Sequence, residues 1–142
     1  MACEEDEAAH FDVRLLIIHP SIDPGLITTT LGLTPHLSWR AGTPRATPAG
    51  TPLPGLYRDT RWGYSYPVRG NRLFSDEIEK MIDRLEPHAR FLAEIVEGTG
   101  SVNLIIHLPG KVNVAGEITW RQMARLSELR TDFGIEVFPD SP

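Results

Sequence analysis

Cysteine is nearly absent: Cys3 is the only one in 142 residues. One thiol cannot build a disulfide framework or a cysteine zinc cluster. Long apolar runs are missing too. The longest, Leu15-Leu16-Ile17-Ile18, is strand-sized, whereas a membrane-spanning helix needs roughly 20 residues. The first residues include the acidic run Glu4-Glu5-Asp6-Glu7, where a secretion signal would be basic, so the expected location is cytoplasmic, with no membrane association. Basic charge is in deficit: 14 Lys+Arg stand against 19 Asp+Glu, a net charge of -5. A nucleic-acid binder draws its affinity from a basic excess that displaces counterions, so that partner class is disfavoured. The sequence also lacks a glycine-rich phosphate loop after a strand, a nucleophile elbow and an ordered Ser/His/Asp set.

What is present is unevenly spread. Between Pro35 and Arg72 there are six arginines (40, 45, 58, 61, 69 and 72) and one acid, Asp59, leaving +5 in that stretch and -10 elsewhere. The same stretch holds Trp39, Trp62 and all three tyrosines, 57, 64 and 66. A basic, aromatic segment sits inside an acidic protein.

Hydrophobic periodicity then organises the chain. Residues 1–10 have nothing periodic to bury and read as a disordered acidic lead-in. Phe11 to His19 alternates and then becomes apolar on both faces, as in a strand entering a sheet centre. Asp23-Pro24 has the chemistry of a helix start and Gly32 that of a left-handed cap. Residues 33–55 carry a Thr-Pro tetrad echo (Thr43-Pro44, Thr47-Pro48, Thr51-Pro52) and predict an extended, polyproline-like loop. Leu56 to Val68 alternates, with Arg58, Trp62, Tyr64 and Tyr66 sharing one face of a strand.

Ser75 is the expected cap of a helix whose stripe Ile78, Met81, Ile82, Leu85, Leu92, Ile95 stays in phase across Pro87. That predicts a kink near Glu86, or two helices with Pro87 opening the second. Val102 to Leu108 predicts a third strand, and Lys111 to Ala115 a fourth that completes a hairpin at Pro109-Gly110. Thr119-Trp120-Arg121-Gln122 has capping-box spacing for a last helix through Arg130, and Ile135 to Phe138 closes the domain as a strand.

The order β-α-β-α-β-β-α-β points to an α+β protein. It would be a two-layer sandwich with a mixed, mainly antiparallel sheet covered by helices, either ferredoxin-like or a pseudo-repeat of two halves. The local echo of Leu15-Leu16-Ile17-Ile18-His19-Pro20 in Asn103-Leu104-Ile105-Ile106-His107-Leu108-Pro109 is the only sign of the repeat. One domain spans 11–138, and 139–142 is a tail.

Several of these features together resemble the bacterial domain-of-unknown-function family 4279. They are Asp23-Pro24 with Ile27 and Leu31-Gly32-Leu33-Thr34-Pro35, then Trp39 and Gly42, Trp62 on a strand, a helix with Leu85 and Pro87, and Phe133-Gly134-Ile135-Glu136-Val137. The resemblance covers about residues 11–138. It implies a compact bacterial α+β domain and transfers no catalytic motif.

Each chemical candidate has a plain structural alternative. Cys3 lies beside Glu4 and Glu5, which raise a thiol pKa and suppress its nucleophilicity. His19 and His107 fall near strand ends and would meet only if those ends were neighbours; no third ligand accompanies them, so neither a metal nor any other cofactor is called for. Asp76, Glu79 and Asp83 lie opposite an apolar stripe, as a solvated helix face does. The arginine and aromatic set is the strongest: Trp39, Arg40, Arg58, Arg61, Trp62, Tyr64 and Tyr66. Trp, Tyr and Arg are the residues that dominate protein–protein hot spots. The expectation is therefore a noncatalytic protein-binding module, of an immunity or accessory type, using this face and the Pro-rich loop, with another protein as partner. The alternatives are a small-ligand or single-stranded nucleic-acid module, or an unrecognised enzyme.

Overall fold

A computed structural model describes residues 10–70, 73–110 and 114–138. Five strands form one mixed sheet: β1 (His10–His19), β2 (Leu37–Trp39), β5 (Thr60–Arg69), β6 (Ser101–Pro109) and β7 (Thr131–Phe138), in the order β2-β5-β1-β6-β7. β1 lies at the centre, antiparallel to both β5 and β6; β2 is antiparallel to β5, and β7 alone runs parallel to its neighbour β6. That parallel pair needs a crossover, which a helix supplies. The short strands β3 (Pro44–Ala46) and β4 (Pro52–Leu56) form a separate two-stranded sheet. The fold class is α+β, as the sequence implies.

Strand alternation decides which face is buried. Phe11, Val13, Leu15 and Ile17 face the same way as Val102, Leu104 and Ile106 of β6 and Trp62 and Val68 of β5, and all are buried. The helices cover this face. Helix α1 (Pro24–Leu31) starts where the Asp23 carboxylate accepts from the Gly25 N–H at 2.9 Å and ends at Gly32, whose φ of 68° is the left-handed cap. It buries Ile27 and Leu31.

Helix α2 (Phe74–Leu85) and helix α3 (Ala89–Glu97) carry the continuous stripe Ile78, Met81, Ile82, Leu85, Leu92 and Ile95 into the same core. Pro87 is accommodated by a 3-10 turn over Glu86–His88, so the chain bends where a proline ring would clash with the α-helical ladder. Helix α4 (Trp120–Glu128) opens on a complete capping box: Thr119 Oγ1 accepts from Gln122 N–H, and Gln122 Oε1 accepts from Thr119 N–H, both at 3.1 Å.

Several expectations need correction. The segment 33–55 is not one extended loop: it contributes β2 to the main sheet and the β3–β4 hairpin, closed by Thr47 N–H donating to Thr51 O at 2.8 Å. The prolines sit in a two-stranded ribbon with few ladder bonds to lose, which is where strands tolerate them. Helix α2 starts at Phe74, so Ser75 lies inside its first turn rather than capping it. The hairpin expected over 111–115 falls mostly on 111–113, outside the described residues; Ala115 makes an isolated parallel bridge to Leu73. The observed order is β-α-β-β-β-β-α-α-β-α-β, counting the hairpin strands.

The expected solvated carboxylates of α2 are also used: Arg125 of α4 reaches Glu79, Asp83 and Glu86 at once, tying α4 to α2. Of the expected lead-in 1–10, residues 1–9 lie outside the described residues and His10 opens β1; the tail 139–142 also lies outside them. No helix among the described residues is long and apolar enough to cross a membrane.

Candidate binding cleft

The site is assembled where β2 ends. Gly63 of β5 lets the chain approach the sheet edge closely: His36 N–H donates to Gly63 O at 2.8 Å, and a Cβ at position 63 would stand 2.9 Å from His36 Cε1. Past Trp39 the chain turns at Gly42, whose φ of 81° suits glycine. Reciprocal backbone bonds then hold the turn to the far end of the hairpin, Gly42 N–H to Tyr57 O at 2.8 Å and Tyr57 N–H to Thr43 O at 3.0 Å. The Tyr57 hydroxyl donates to Ala46 O at 3.1 Å and accepts from Ala46 N–H at 3.2 Å, which fixes its ring across the hairpin. Trp39 stacks on that ring, centroids 4.8 Å apart and planes 10° from parallel.

The stacked pair forms a wall shared by two clefts. One, of about 550 Å³, runs along Trp39, Arg45, Leu53, Tyr57, Arg58 and Arg61. The other, of about 710 Å³, passes His36, Leu37, Trp39, Pro44, Pro48 and Tyr57. Arg61 Nε is paired with Asp59 at 3.3 Å, and Arg45 donates to Pro54 O at 3.3 Å. Arg58 is exposed and makes no contact of either kind with the described residues. The cleft therefore offers two aromatic faces, apolar Leu53 and Pro48, and guanidinium donors with capacity to spare. These groups suit recognition of an acidic, partly apolar ligand. His36 at its rim is held toward the neutral form by partial burial and by the charge of Arg14, against a smaller opposing effect of its bond to Gly63.

The structure divides the sequence-derived set. Trp39, Arg58 and Arg61 line one cleft. Arg40 turns away to Asp23, 3.7 Å distant. Trp62 is wholly buried opposite Ile17, so it shares a strand face with Tyr64 and Tyr66 but no surface with Trp39. Strand parity is as expected, but that face of β5 is the one under the helices. Tyr64 and Tyr66 border a separate groove of about 300 Å³ with Glu77, Lys80, Met81 and Arg84. There burial and the Glu77 carboxylate push the Tyr66 phenol above its ordinary range.

His19 and His107 do not meet. His107 pairs with Asp12 at one end of β1, and His19 pairs with Thr60 at the other. His19 Nδ1 is occupied as a turn acceptor for Ser21 N–H and Ile22 N–H at 3.0 and 2.9 Å. Among the described residues no three His, Cys, Asp or Glu side chains gather as a metal site. Cys3 is outside the described residues.

Sequence reasoning missed Tyr57, Arg45 and Leu53. The signal that could have found them is the hairpin itself, which places Gly42, Gly50 and Gly55 at positive φ and folds 44–56 back over Trp39.

Residues 8–138, nearly the whole chain, match the family model described as Domain of unknown function (DUF4279). The chain belongs to that family. No curated protein and no solved structure matches it.

Proposed function

We propose that this domain is a noncatalytic protein-binding module of the immunity or accessory type, and that its partner docks an acidic, partly apolar segment in the cleft beside Trp39. The observation that carries the reading is the Trp39–Tyr57 stack standing next to Arg45, Arg58 and Arg61. Aromatic and arginine side chains in a concave, pre-formed site are the usual centre of a protein–protein hot spot. Tyr57 is already locked by the hairpin, so little side-chain entropy is left to lose on binding. The net charge of -5 works against nucleic acid as the main partner. The reading places the domain in a bacterial cytoplasm, and a single cysteine suits that reducing compartment.

A second reading, a small-ligand or single-stranded nucleic-acid module, draws on the same observation, because stacked rings beside guanidinium groups also accept bases. One experiment separates the two. Wild-type, Trp39→Ala and Glu94→Ala proteins are used as affinity baits, and the captured proteins are quantified. The same three are then titrated with a labelled oligothymidylate at two salt concentrations. The proposal expects a captured protein that the exposed-surface control Glu94→Ala keeps and Trp39→Ala loses. Its purified affinity should fall by about 2 kcal/mol or more in the Trp39 variant. Salt-steep oligonucleotide binding that Trp39→Ala loses and Glu94→Ala keeps would overturn the protein-partner reading in favour of the second.

A further inference from the structure

The two edges of the main sheet are finished differently. The β2/β5 edge is blunted: β2 has three residues, and beyond its pairing at Arg61–Gly63 the exposed edge of β5 carries Pro67, which offers no N–H. The β7 edge has no such protection. Its eight residues pair with β6 in an unbroken register from Val102↔Thr131 to Pro109↔Phe138, and its sequence, TDFGIEVF, contains no proline, lysine or bulge. Among the described residues no strand pairs with its outer side. Exposed apolar side chains lie on β7 and on the helix packed against it. Ile135 is 50% exposed and Val137 59%, and on α4 Met123 is 54% and Trp120 69% exposed. Helical geometry of roughly 100° per residue puts Met123 and Trp120 on the flank of α4 away from Arg125. Arg125 faces α2, so Met123 and Trp120 lie on the other flank of α4, the helix that packs against β7.

We propose that this edge is the self-association surface of the protein: two copies join β7 to β7 antiparallel about a two-fold axis, making one continuous ten-stranded sheet. The strand's own apolar residues select the occupant, and charge selects the register. Asp132 and Glu136 are the only charges in β7. Pairing centred on Gly134 would set Asp132 against the copy's Glu136 twice, which like charges oppose. Pairing centred on Ile135 sets Phe133 against Val137 and Ile135 against Ile135 on one face, and on the other Glu136 against the copy's Gly134 and Asp132 against its Phe138, so apolar meets apolar and no carboxylate stands directly opposite another. The strand is thus complementary to itself in a register that avoids the repulsion. Because the opposite sheet edge is blunted, the assembly closes at two copies instead of growing into a fibre. The Trp39 clefts, at the far edges, remain open in the pair, and this inference stands independently of what they bind.

Sedimentation equilibrium of the full chain across low to high micromolar concentration tests it. The wild type is expected at twice the 15.8 kDa chain mass. Ile135→Lys, which sets two ammonium groups together on the axis, is expected at the chain mass, and Trp39→Ala is expected to remain paired. Met123→Glu serves in the same way if Ile135→Lys does not melt cooperatively. In a Cys3→Ser background, Ile135→Cys should be joined to its copy by a short bis-maleimide, and Glu94→Cys should not. A wild type at the chain mass throughout, a dimer indifferent to both edge variants, or equal cross-linking at 94 and 135 would each overturn the proposal.

Discussion

The indole N–H of Trp62 donates to Thr28 Oγ1 at 2.9 Å, joining the start of β5 to helix α1. The indole is otherwise fully buried, and this bond satisfies its single polar atom. Thr28→Val keeps the shape of the acceptor residue and removes the acceptor. The unpaired N–H is expected to cost about 1–3 kcal/mol, because a buried donor left alone forfeits its hydration without compensation. Thr29→Val, one position along and exposed, is expected to change stability by less than about 0.5 kcal/mol. Urea unfolding of both variants is the measurement; equal losses would mean that the bond to Trp62 does not hold the helix.

The same bond shows where sequence reading stops. Alternation along 56–68 correctly grouped Trp62, Tyr64 and Tyr66 on one face, since strand parity is local chemistry. Which face meets the helices depends on β5 pairing with β1, forty-five residues away in the register Ile17↔Trp62, and no local pattern encodes that. The caps at Asp23, Gly32 and Thr119–Gln122 were legible because capping is settled by neighbours within four residues. Ser75 misled because Leu73 and Phe74 are drawn in by the bridge to Ala115, a long-range contact. The cleft was half legible. Trp39, Arg58 and Arg61 stand out by type, but Tyr57 and Arg45 join them only through a hairpin whose Thr-Pro repeats look extended when read alone.

Arg125 gathers three carboxylates of the Leu85 end of α2 and the turn after it, with Asp83 at 2.7 Å and Glu86 at 2.6 Å besides Glu79. Its hydrogen bonds hold the Glu86 carboxyl below the ordinary glutamate range. A group whose folded pKa is depressed contributes stability above its unfolded pKa and loses it as pH falls through the folded value. The wild type is therefore expected to lose more stability between pH 7 and pH 3 than Arg125→Met, in which the Glu86 carboxyl no longer has that partner. Guanidinium unfolding is unsuitable because its salt screens the cluster, so urea midpoints at the two pH values are compared. A pH dependence identical in both proteins would show the cluster to be energetically idle.

His36 offers a spectroscopic check on the cleft rim. Burial and the Arg14 charge both lower its pKa below the usual 6.5. Protonation observed by NMR should accordingly begin at lower pH than for a free histidine. Arg14→Met should raise the midpoint by removing one of the two causes, leaving the burial contribution in place. An unshifted His36, or one insensitive to Arg14, would separate the rim from the open face of the sheet and detach Arg14 from the site.

The β3–β4 hairpin can be tested as a device of the site instead of the fold. Its strands form their own two-stranded sheet, and every residue of β3 and β4 is exposed. Replacing 44–56 by a short glycine-serine connection shortens a surface excursion, and loop closure entropy varies slowly with length, by about 0.6 kcal/mol per doubling. The five-stranded sheet should therefore unfold cooperatively with a nearly unchanged midpoint. The stack is a different matter: the bonds of the Tyr57 hydroxyl to Ala46, which the replacement removes, are what fix its ring against Trp39. Without the hairpin, Trp39 should become fully quenchable by iodide while Trp62 stays protected in the core. Capture of a partner should be lost with stability intact. Loss of cooperative unfolding in this variant would instead make the hairpin part of the fold, and an unchanged capture would move the binding surface away from Trp39.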